Sequence, residues 1–338
     1  MSVETRPILA VTMGDPAGCG PEIVAQVAAA GVVDEFARII CVGDAATLAR
    51  AFQIIGQSGR VRAIGEVGEA RYEPGVLDVL DLHNVDLATL AWGKVQASAG
   101  QAAYEAVDRA IDLALAGQVD AVVTSALNKE ALRLAGHDYD GHTEILAVKT
   151  GAKKVTMMLA SEHFRVTHVS THCSLRQAIE RCQTPRILEV TRLTHQALTR
   201  MGIAAPKLAV AGLNPHSGEG GLFGTEEIEQ IQPAIDQARA EGLNVHSHPV
   251  APDTVFVRMA EKREFDAVIA QYHDQGHIPA KLVDFWGGVN ITLGLPIIRT
   301  SVDHGTAFDI AGTGQASPKS LISALRFAQL MAAGRRPS

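Results

Sequence analysis

The sequence is poor in aromatic residues and in cysteine, and it has no excess of positive charge and no long apolar run. Aromatic residues make up 4% of the 338 residues, whereas hydrophobic residues make up 47%. The core must therefore be built from small aliphatic side chains, a composition typical of a buried parallel sheet covered by Ala-rich helices. The composition is also too apolar for an intrinsically disordered chain.

The cysteine content excludes a disulfide framework. The chain has four cysteines and no CxxC pattern, which is typical of reduced thiols in a cytoplasmic protein. The four residues are Cys19, Cys41, Cys173 and Cys182.

The charge balance and the hydropathy pattern argue against nucleic acid and membrane partners. There are 30 basic and 37 acidic residues, a formal net charge of −7, so no domain-sized basic field is available for nucleic acid. Asp15 and Pro16 interrupt the early apolar stretch Ile8–Met13, which is too short for a signal peptide. No window approaches the roughly 20 apolar residues of a membrane span.

Strand and helix patterns alternate along the chain, which predicts an α/β protein with a largely parallel sheet. A hairpin in the middle of the chain suggests a second subdomain, and we expect the C-terminal helix to return to the first domain. The predicted strands are Arg6–Met13, Arg38–Val42, Val76–Leu82, Ala121–Thr124, the hairpin pair Lys154–Ala160 and Arg165–Ser170, then Leu208–Ala211, Phe265–Ala270 and Gly288–Leu293. The main predicted helices are one opening at Pro21, Ala45–Phe52, Ala97–Gly117, a short one around Glu130–Ala135, Thr184–Met201, Thr225–Gly242 and Ser317–Ala333.

A glycine-rich turn follows the first predicted strand. The run Gly14-Asp15-Pro16-Ala17-Gly18 precedes a helix, so its glycines could let the backbone approach an anionic ligand. It matches neither GxGxxG nor a P-loop. A tight structural turn is the simpler explanation of the same residues.

A second polar cluster is Asp140-Gly141-His142-Thr143-Glu144. One interpretation is a helix start capped by Asp140 or Thr143. The other is that His142 and Thr143 donate hydrogen bonds to an anionic substrate. The sequence favours neither.

The chain has 13 histidines, and several lie just past predicted strand ends. His172, His216 and His273 are in such positions, where ligands gather in open α/β sheets. Three neutral imidazoles suit Zn²⁺ or a similar ion, although their spacing matches no local zinc motif. His273 and His277 have i, i+4 spacing, but Gly276 and Pro279 argue against a helix there.

Two basic residues near the C-terminal end are candidates for binding an anion. Arg299 precedes the polar run Thr300–Thr306, and a guanidinium can clamp an anion through two hydrogen bonds. Lys281 could hold a phosphate or carboxylate, or act as a base if it is desolvated. A solvated surface position explains either residue as well.

Taken together, these strings resemble the 4-hydroxythreonine-4-phosphate dehydrogenase family, whose members act in pyridoxal 5′-phosphate biosynthesis. The motifs occur in the order of the family and span nearly the whole chain. They are Met13-Gly14-Asp15-Pro16-Ala17-Gly18, Gly141-His142-Thr143-Glu144, Asn214-Pro215-His216, Tyr272-His273-Asp274-Gln275-Gly276 and Arg299-Thr300-Ser301-Val302-Asp303-His304-Gly305-Thr306.

The resemblance implies a fold like that of isocitrate and isopropylmalate dehydrogenases, with two α/β domains and a central cleft. We expect a first domain of residues 1–135 plus 300–338, and a second of residues 136–299 that carries metal ligands and dimer contacts. The resemblance also implies a homodimer with a shared active site. Its metal would draw ligands from both subunits.

The resemblance further implies NAD or NADP and a divalent metal such as Zn, Mg or Co. It assigns the metal to His172, His216 and His273. The expected substrate-binding residues are His142, Thr143, Lys281, Asn290 and Arg299, with Lys281 also the candidate catalytic residue. The expected cofactor-binding residues are Asn214, Gly218, Gly220, Asp303, His304 and Gly305.

The implied reaction is oxidation of a 4-phosphorylated 3-hydroxy acid followed by loss of CO₂, with 4-phosphooxy-L-threonine as the first candidate substrate. Ser125-Ala126-Leu127-Asn128-Lys129 also looks like the branch that acts on D-threonate or D-erythronate 4-phosphate and yields dihydroxyacetone phosphate. A dehydrogenase of another diol or hydroxy acid is a further alternative. A non-catalytic ligand-binding protein on the same fold is the alternative of a different class.

Overall fold

The structure, a computed structural model, describes residues 5–334, and it is an α/β chain as predicted. The strands are Ile8–Thr12 (β1), Arg38–Gly43 (β2), Arg60–Ile64 (β3), Val76–Asp81 (β4), Ala121–Thr124 (β5), Thr156–Ala160 (β6), Arg165–His168 (β7), Leu208–Val210 (β8), Ala267–Ala270 (β9), Val289–Leu293 (β10) and Arg299–Val302 (β11). The helices are Gly20–Ala30 (α1), Ala45–Ile55 (α2), Ala97–Leu115 (α3), Lys129–Leu134 (α4), His142–Thr150 (α5), Leu175–Arg181 (α6), Thr184–Arg200 (α7), Gln232–Ala240 (α8), Pro252–Ala260 (α9), His273–Val283 (α10) and Lys319–Ala333 (α11).

The described chain forms two compact units. The first contains the residues up to Lys153 together with Leu295–Ala333, and the second contains Lys154–Gly294. The boundaries expected from the sequence lie instead after residues 135 and 299. The difference arises mainly because α5 packs against α3 and therefore belongs to the first unit. The predicted domain boundaries stay a prediction.

The first unit is built on parallel strands in the order β3-β4-β2-β1-β5-β11. β5 is buried along its whole length, as expected of a strand covered on both faces. Helix α1 opens with Pro21 in its first turn and ends at Gly31, whose φ of 66° is easily adopted only by glycine. Helix α11 packs against β5 and β11, as expected for the C-terminal helix.

The second unit has a mixed sheet in the order β10-β6-β7-β9-β8. β6 and β7 form the predicted antiparallel hairpin, whereas β7, β9 and β8 are parallel. The core beneath them contains the stacked rings of Phe164 and Phe256, with centroids 5.8 Å apart. The carboxyl ends of β7, β8 and β9 lead into the segments that carry His172, His216 and His273.

One prediction about local structure is wrong. A helix, α10, forms across Gly276 and Pro279, because Pro279 removes only one intrahelical hydrogen bond and the helix retains its packing on β7 and β9. The predicted helix Thr225–Gly242 is confirmed, and it begins with a π-helical segment, Glu227–Ile231, that continues directly into α8. Two strands are not predicted from the sequence: β3, an edge strand rich in arginine, and β11, which contains the first residues of the polar run after Arg299.

The four cysteines are free thiols, as predicted, and three of them are buried. Within residues 5–334, no helix has the length and apolarity needed to cross a membrane.

Candidate functional site

In the first unit, Arg299 lies buried at the start of β11. Its Nε and Nη2 atoms donate hydrogen bonds to the Oγ1 atom of Thr124, at the end of the neighbouring strand β5, over 3.2 and 2.7 Å. Burial lowers the pKa of Arg299 from its usual value to about 9, while the negative charge of Glu144 opposes that shift. The guanidinium therefore remains charged at neutral pH in a largely desolvated position.

The N-terminus of α5 lies close to this guanidinium. His142 and Thr143 are the first residues of the helix and Gly141 is the residue before it, with a φ of 154° and no side-chain cap. The interpretation in which Asp140 or Thr143 caps the helix is thus wrong, because Thr143 lies inside the helix and Asp140 lies beyond the capping position. Among residues 5–334, no side chain caps the first N–H groups of α5.

His142 is held neutral in this environment. Burial, and then the positive charge of Arg299, hold the pKa of His142 well below its usual value. Its Nε2 atom is buried and has no hydrogen-bond partner in the described part of the chain. A neutral imidazole, a buried guanidinium and an uncapped helix N-terminus together form a set of donors suited to a phosphate or carboxylate group.

The predicted cofactor residues of the first unit, Asp303, His304 and Gly305, follow β11 in an exposed segment. The Asp303 N–H donates to Oγ of Ser320 over 3.1 Å, and His304 Nδ1 donates to the carbonyl of Gly305 over 2.8 Å. The assignment of these three residues to the cofactor stays a prediction.

Glu22 orders the later part of this segment, although the sequence analysis treats it only as part of a helix start. Its side chain is fully buried, and it accepts the Gly312 N–H at 2.5 Å and the Gly314 N–H at 2.6 Å. Two backbone donors nearly 300 residues away in sequence therefore converge on one carboxylate. Because both donors are so distant in sequence, the residues next to Glu22 give no indication of these hydrogen bonds.

The glycine-rich turn after β1 packs against protein rather than presenting an open backbone. A Cβ atom would lie 2.6 Å from the Ala126 carbonyl at Gly14, and 2.8 Å from the Thr306 carbonyl at Gly18. Asp15 is completely buried, and its Oδ1 atom accepts the Ala17 N–H at 2.9 Å. The structure favours the structural explanation of these glycines over direct approach to an anion.

In the second unit, two of the three predicted metal ligands lie near each other. The rings of His172 and His273 have centroids 6.0 Å apart. His273 Nδ1 lies 2.6 Å from a carboxylate oxygen of Asp274, an arrangement that leaves Nε2 as the lone-pair donor. Two imidazoles on one tetrahedral zinc ion, with Zn–N bonds of about 2.0–2.1 Å, have centroids roughly 5–6 Å apart. The pair therefore fits a shared divalent ion.

His277, which is not among the predicted ligands, lies between His273 and the buried His168. It stacks on His273 at a centroid distance of 3.6 Å, one turn of α10 away. Its Nδ1 atom lies 3.2 Å from Nε2 of His168, the buried last residue of β7. Burial and the neighbouring His277 lower the pKa of His168 to about 3, so His168 is neutral at physiological pH.

His216, the third predicted ligand, lies exposed in the turn Pro215–Gly221 after β8. Gly218 and Gly220 belong to the same turn, and Asn214 immediately precedes it. The structure does not bring His216 into one ligand group with the other two: within residues 5–334 there is no cluster of three or more His, Cys, Asp or Glu side chains arranged to hold a metal ion.

Lys281 and Asn290, the remaining predicted substrate residues, lie in α10 and β10. The Lys281 ammonium lies 5.6 Å from the centroid of the Phe285 ring. Asn290 Nδ2 contacts the sulfur of Met157 at 2.8 Å, while its buried Oδ1 has no hydrogen-bond partner among the described residues. Each is part of the second unit, together with the three histidines.

The chain matches the family model described as "Pyridoxal phosphate biosynthetic protein PdxA" over residues 35–328. It belongs to this family. It is 48% identical over 332 residues to a D-threonate 4-phosphate dehydrogenase of Salmonella typhimurium, covering 98% of this chain and 100% of that protein. It is also 50% identical over 321 residues to a 4-hydroxythreonine-4-phosphate dehydrogenase of Beijerinckia indica, covering 95% and 94% of the two chains.

A solved structure gives the same result. The crystal structure of a 4-hydroxythreonine-4-phosphate dehydrogenase from Klebsiella pneumoniae aligns with a TM-score of 0.88 at 47% identity, over 96% of this chain and 99% of that one. The PdxA-family chain is thus a dehydrogenase, and dehydrogenases of this kind use a nicotinamide cofactor. The resemblance stated from the motifs is confirmed.

Proposed function

We propose that this PdxA-family enzyme catalyses the NAD(P)-dependent oxidative decarboxylation of a 4-phosphorylated 3-hydroxy acid. The observation that supports this best is the buried Arg299 guanidinium beside neutral His142 and the uncapped start of α5. A dianionic phosphate or a carboxylate can accept hydrogen bonds from all three kinds of donor. The first candidate substrate is 4-phosphooxy-L-threonine.

D-threonate 4-phosphate is the second candidate, and the relatives give it equal weight. The relative named D-threonate 4-phosphate dehydrogenase is 48% identical to this chain, and the relative named 4-hydroxythreonine-4-phosphate dehydrogenase is 50% identical. The two substrates differ at C2, where one has an amino group and the other a hydroxyl.

The proposed roles follow from the chemistry of the residues. His142, Thr143 and Arg299 bind an anionic group of the substrate, and Asn290 contributes an amide. Lys281 neutralises a second anionic group and is our candidate for the residue that exchanges the proton of the oxidised hydroxyl. Asn214, Gly218 and Gly220 are proposed cofactor contacts, and so are Asp303, His304 and Gly305.

A divalent cation is part of the proposal, with His172, His216 and His273 as its ligands. When bound, the nicotinamide accepts a hydride and the cation lowers the pKa of the substrate hydroxyl. The paired imidazoles of His172 and His273, with Asp274 orienting the latter, are the donor set that supports it. Zn, Mg and Co are the candidate ions.

We also propose a homodimer. Leu282, Phe285 and Trp286, at and beyond the end of α10, are each more than 60% exposed. Such an apolar group on one surface is typical of a protein–protein contact. Because it adjoins Lys281, a second subunit bound there would lie next to candidate catalytic residues. The isocitrate and isopropylmalate dehydrogenase-like arrangement of two domains remains part of the proposal.

The test is a NADH-formation assay on the purified enzyme with 4-phosphooxy-L-threonine, D-threonate 4-phosphate and D-erythronate 4-phosphate. A kcat/KM at least 100-fold higher for one substrate identifies the branch. Activity on none of them, with no thermal stabilisation by NAD⁺ or NADP⁺, would contradict the proposal and favour a binding protein.

The cation is tested separately. Exhaustive chelation should abolish turnover, and a divalent ion should restore it. His216→Ala should lose bound metal while folding normally. Full activity in both cases would exclude the metal assignment.

A further inference from the structure

The turn that carries His216 has an unusual backbone. Five consecutive residues have left-handed dihedral angles, with φ of 52° at His216, 56° at Ser217, 78° at Gly218, 44° at Glu219 and 67° at Gly220. Residues with a Cβ atom rarely adopt this conformation, and then usually singly. A run of this kind persists only where the surroundings hold it in place.

Glu227 supplies contacts that hold this turn at its start. Its Oε1 atom accepts the backbone N–H groups of Leu213 and Asn214, each at 2.7 Å. Its Oε2 atom accepts a hydrogen bond from Nδ2 of Asn214 at 2.9 Å. Three donors from the two residues just before the turn thus converge on one carboxylate.

The same carboxylate lies against the turn itself. A Cβ atom on Gly218 would lie 2.7 Å from Oε2 of Glu227, and one on Gly212 would lie 3.2 Å from Oε1. Glu227 is 4% exposed, so water cannot replace these contacts without a rearrangement. The sequence suggests only an acidic first helical turn at this position, but the side chain points back to the segment before His216.

Glu226, its neighbour, provides a natural comparison. It also accepts a hydrogen bond from Asn214 Nδ2, at 2.7 Å, but within residues 5–334 it accepts no hydrogen bond from the backbone of the turn, and it is only partly buried. Both glutamates therefore accept a hydrogen bond from the side chain of Asn214, but only Glu227 also accepts hydrogen bonds from the backbone N–H groups of Leu213 and Asn214.

We propose that Glu227 is a positioning residue, which holds the left-handed turn and thereby places the His216 imidazole for a divalent cation. This rests on the proposed role of His216 as a metal ligand. The carboxylate does not contact substrate or cofactor in this proposal. It acts through the backbone of Leu213 and Asn214.

The experiment compares Glu227→Gln with Glu226→Gln in the full-length protein. Co²⁺ titration followed by visible absorption measures metal affinity and coordination geometry. Hydrogen exchange of the backbone N–H groups of residues 213–221 measures how often the turn opens. In Glu227→Gln we expect Co²⁺ affinity to fall at least tenfold, with an altered spectrum and exchange at least tenfold faster. Glu226→Gln should change both by less than threefold.

A rescue variant separates positioning from general damage. Ser217→Gly lets one residue of the turn adopt its left-handed conformation without a Cβ penalty. Added to Glu227→Gln, it should restore Co²⁺ affinity to within threefold of wild type. If Glu227→Gln does not fold, Glu227→Asp, which keeps the charge on a shorter side chain, should show the same changes to a smaller extent.

The outcomes distinguish this proposal from the metal assignment. Wild-type Co²⁺ affinity, spectrum and exchange in Glu227→Gln would overturn the positioning role alone. Co²⁺ binding that is unchanged in His216→Ala would overturn the metal assignment of His216 and, with it, the positioning role toward the ion. Faster exchange in Glu227→Gln would in that case still show that the carboxylate holds the turn.

Discussion

A Cβ atom on Gly276 would lie 2.3 Å from the Nε2 atom of His168 and 2.8 Å from Cγ2 of Val166. Gly276 lies within α10, one residue before His277, where glycine lowers intrinsic helix stability. The buried imidazole of His168 therefore explains a helical glycine that appears unfavourable in the sequence.

We predict that Gly276→Ala destabilises the protein by about 1–3 kcal/mol, the usual range for overpacking a buried contact. His168 and Val166 belong to β7 and cannot move away without disturbing the sheet. Denaturant unfolding measures the change. Gly68→Ala is the matched control, because the nearest atom to its Cβ lies 3.8 Å away. Unchanged or increased stability of Gly276→Ala, which helix propensity alone would produce, would contradict the His168 contact.

A second prediction concerns the pH dependence of stability. Burial raises the pKa of Asp15 from 3.8 to about 6, although the Ala17 N–H opposes that shift. Between these values the folded protein binds more protons than the unfolded chain. The stability associated with neutral Asp15 is therefore fully present below pH 3.8 and is lost as the pH rises through 6.

Asp15→Asn removes this ionisation. We expect it to raise the free energy of unfolding at pH 8 by up to about 3 kcal/mol, and by much less at pH 4. Denaturant melts at the two pH values measure the difference. A change of the same size at both pH values would show that ionisation of Asp15 is not its source.

A third prediction tests the anion-binding group of the first unit. The burial that lowers the pKa of Arg299 to about 9 would also lower the pKa of a lysine at this position. The usual pKa of lysine, 10.5, is already lower than that of arginine. Arg299→Lys should therefore lose most of its charge at pH 8 and also lose the planar pair of donors to Thr124.

For Arg299→Lys we expect the KM for the phosphorylated substrate to rise at least tenfold at pH 8. The defect should be smaller at pH 6, where the lysine regains its proton. KM values of wild type and variant across this pH range provide the measurement. A defect independent of pH would assign the loss to hydrogen-bond geometry alone.

A fourth prediction concerns Glu22, which accepts the N–H groups of Gly312 and Gly314. Glu22→Gln leaves one of these buried donors facing an amide NH₂, at a cost of about 1–3 kcal/mol. The segment after β11 should then move, so we expect the KM for NAD⁺ or NADP⁺ to rise at least fivefold with a smaller change in kcat.

Hydrogen exchange at Gly312 and Gly314 provides the structural readout, and it should be at least tenfold faster in Glu22→Gln. The matched control is Glu69→Gln, because Glu69 also accepts a glycine N–H, that of Gly65 at 2.7 Å, but on an exposed surface. Unchanged exchange and cofactor KM in Glu22→Gln would contradict a role for this carboxylate in ordering the segment.

Much of the local structure could be predicted from the sequence because its causes lie within a few residues. Pro21 sets the start of α1 through its own backbone preference, as predicted. The alternation of short apolar runs with longer amphipathic stretches predicts the α/β class, and the hairpin of β6 and β7 follows from two β-rich runs split by a polar turn.

The local structures that the sequence did not predict depend on tertiary packing or on backbone angles that local residue preferences do not set. Gly276 and Pro279 argue against the helix α10 because both have poor helix propensity, but packing against β7 and β9 outweighs that local preference. Asp140 and Thr143 were equally good candidates for a helix cap, and the backbone dihedral angles at Gly141 decided against both.

The candidate site divides in the same way. The types of its residues, and the family that their order indicates, were determined by the sequence alone: histidines past strand ends, a glycine-rich turn, and an arginine before a polar run. Which side chains meet was decided by the tertiary structure. Glu227 reaches back 13 and 14 residues to Asn214 and Leu213, and Glu22 reaches across about 290 residues to Gly312 and Gly314. Such contacts leave no local pattern, because a buried carboxylate is stabilised by whichever donors the fold brings within hydrogen-bonding distance, whatever their distance in sequence.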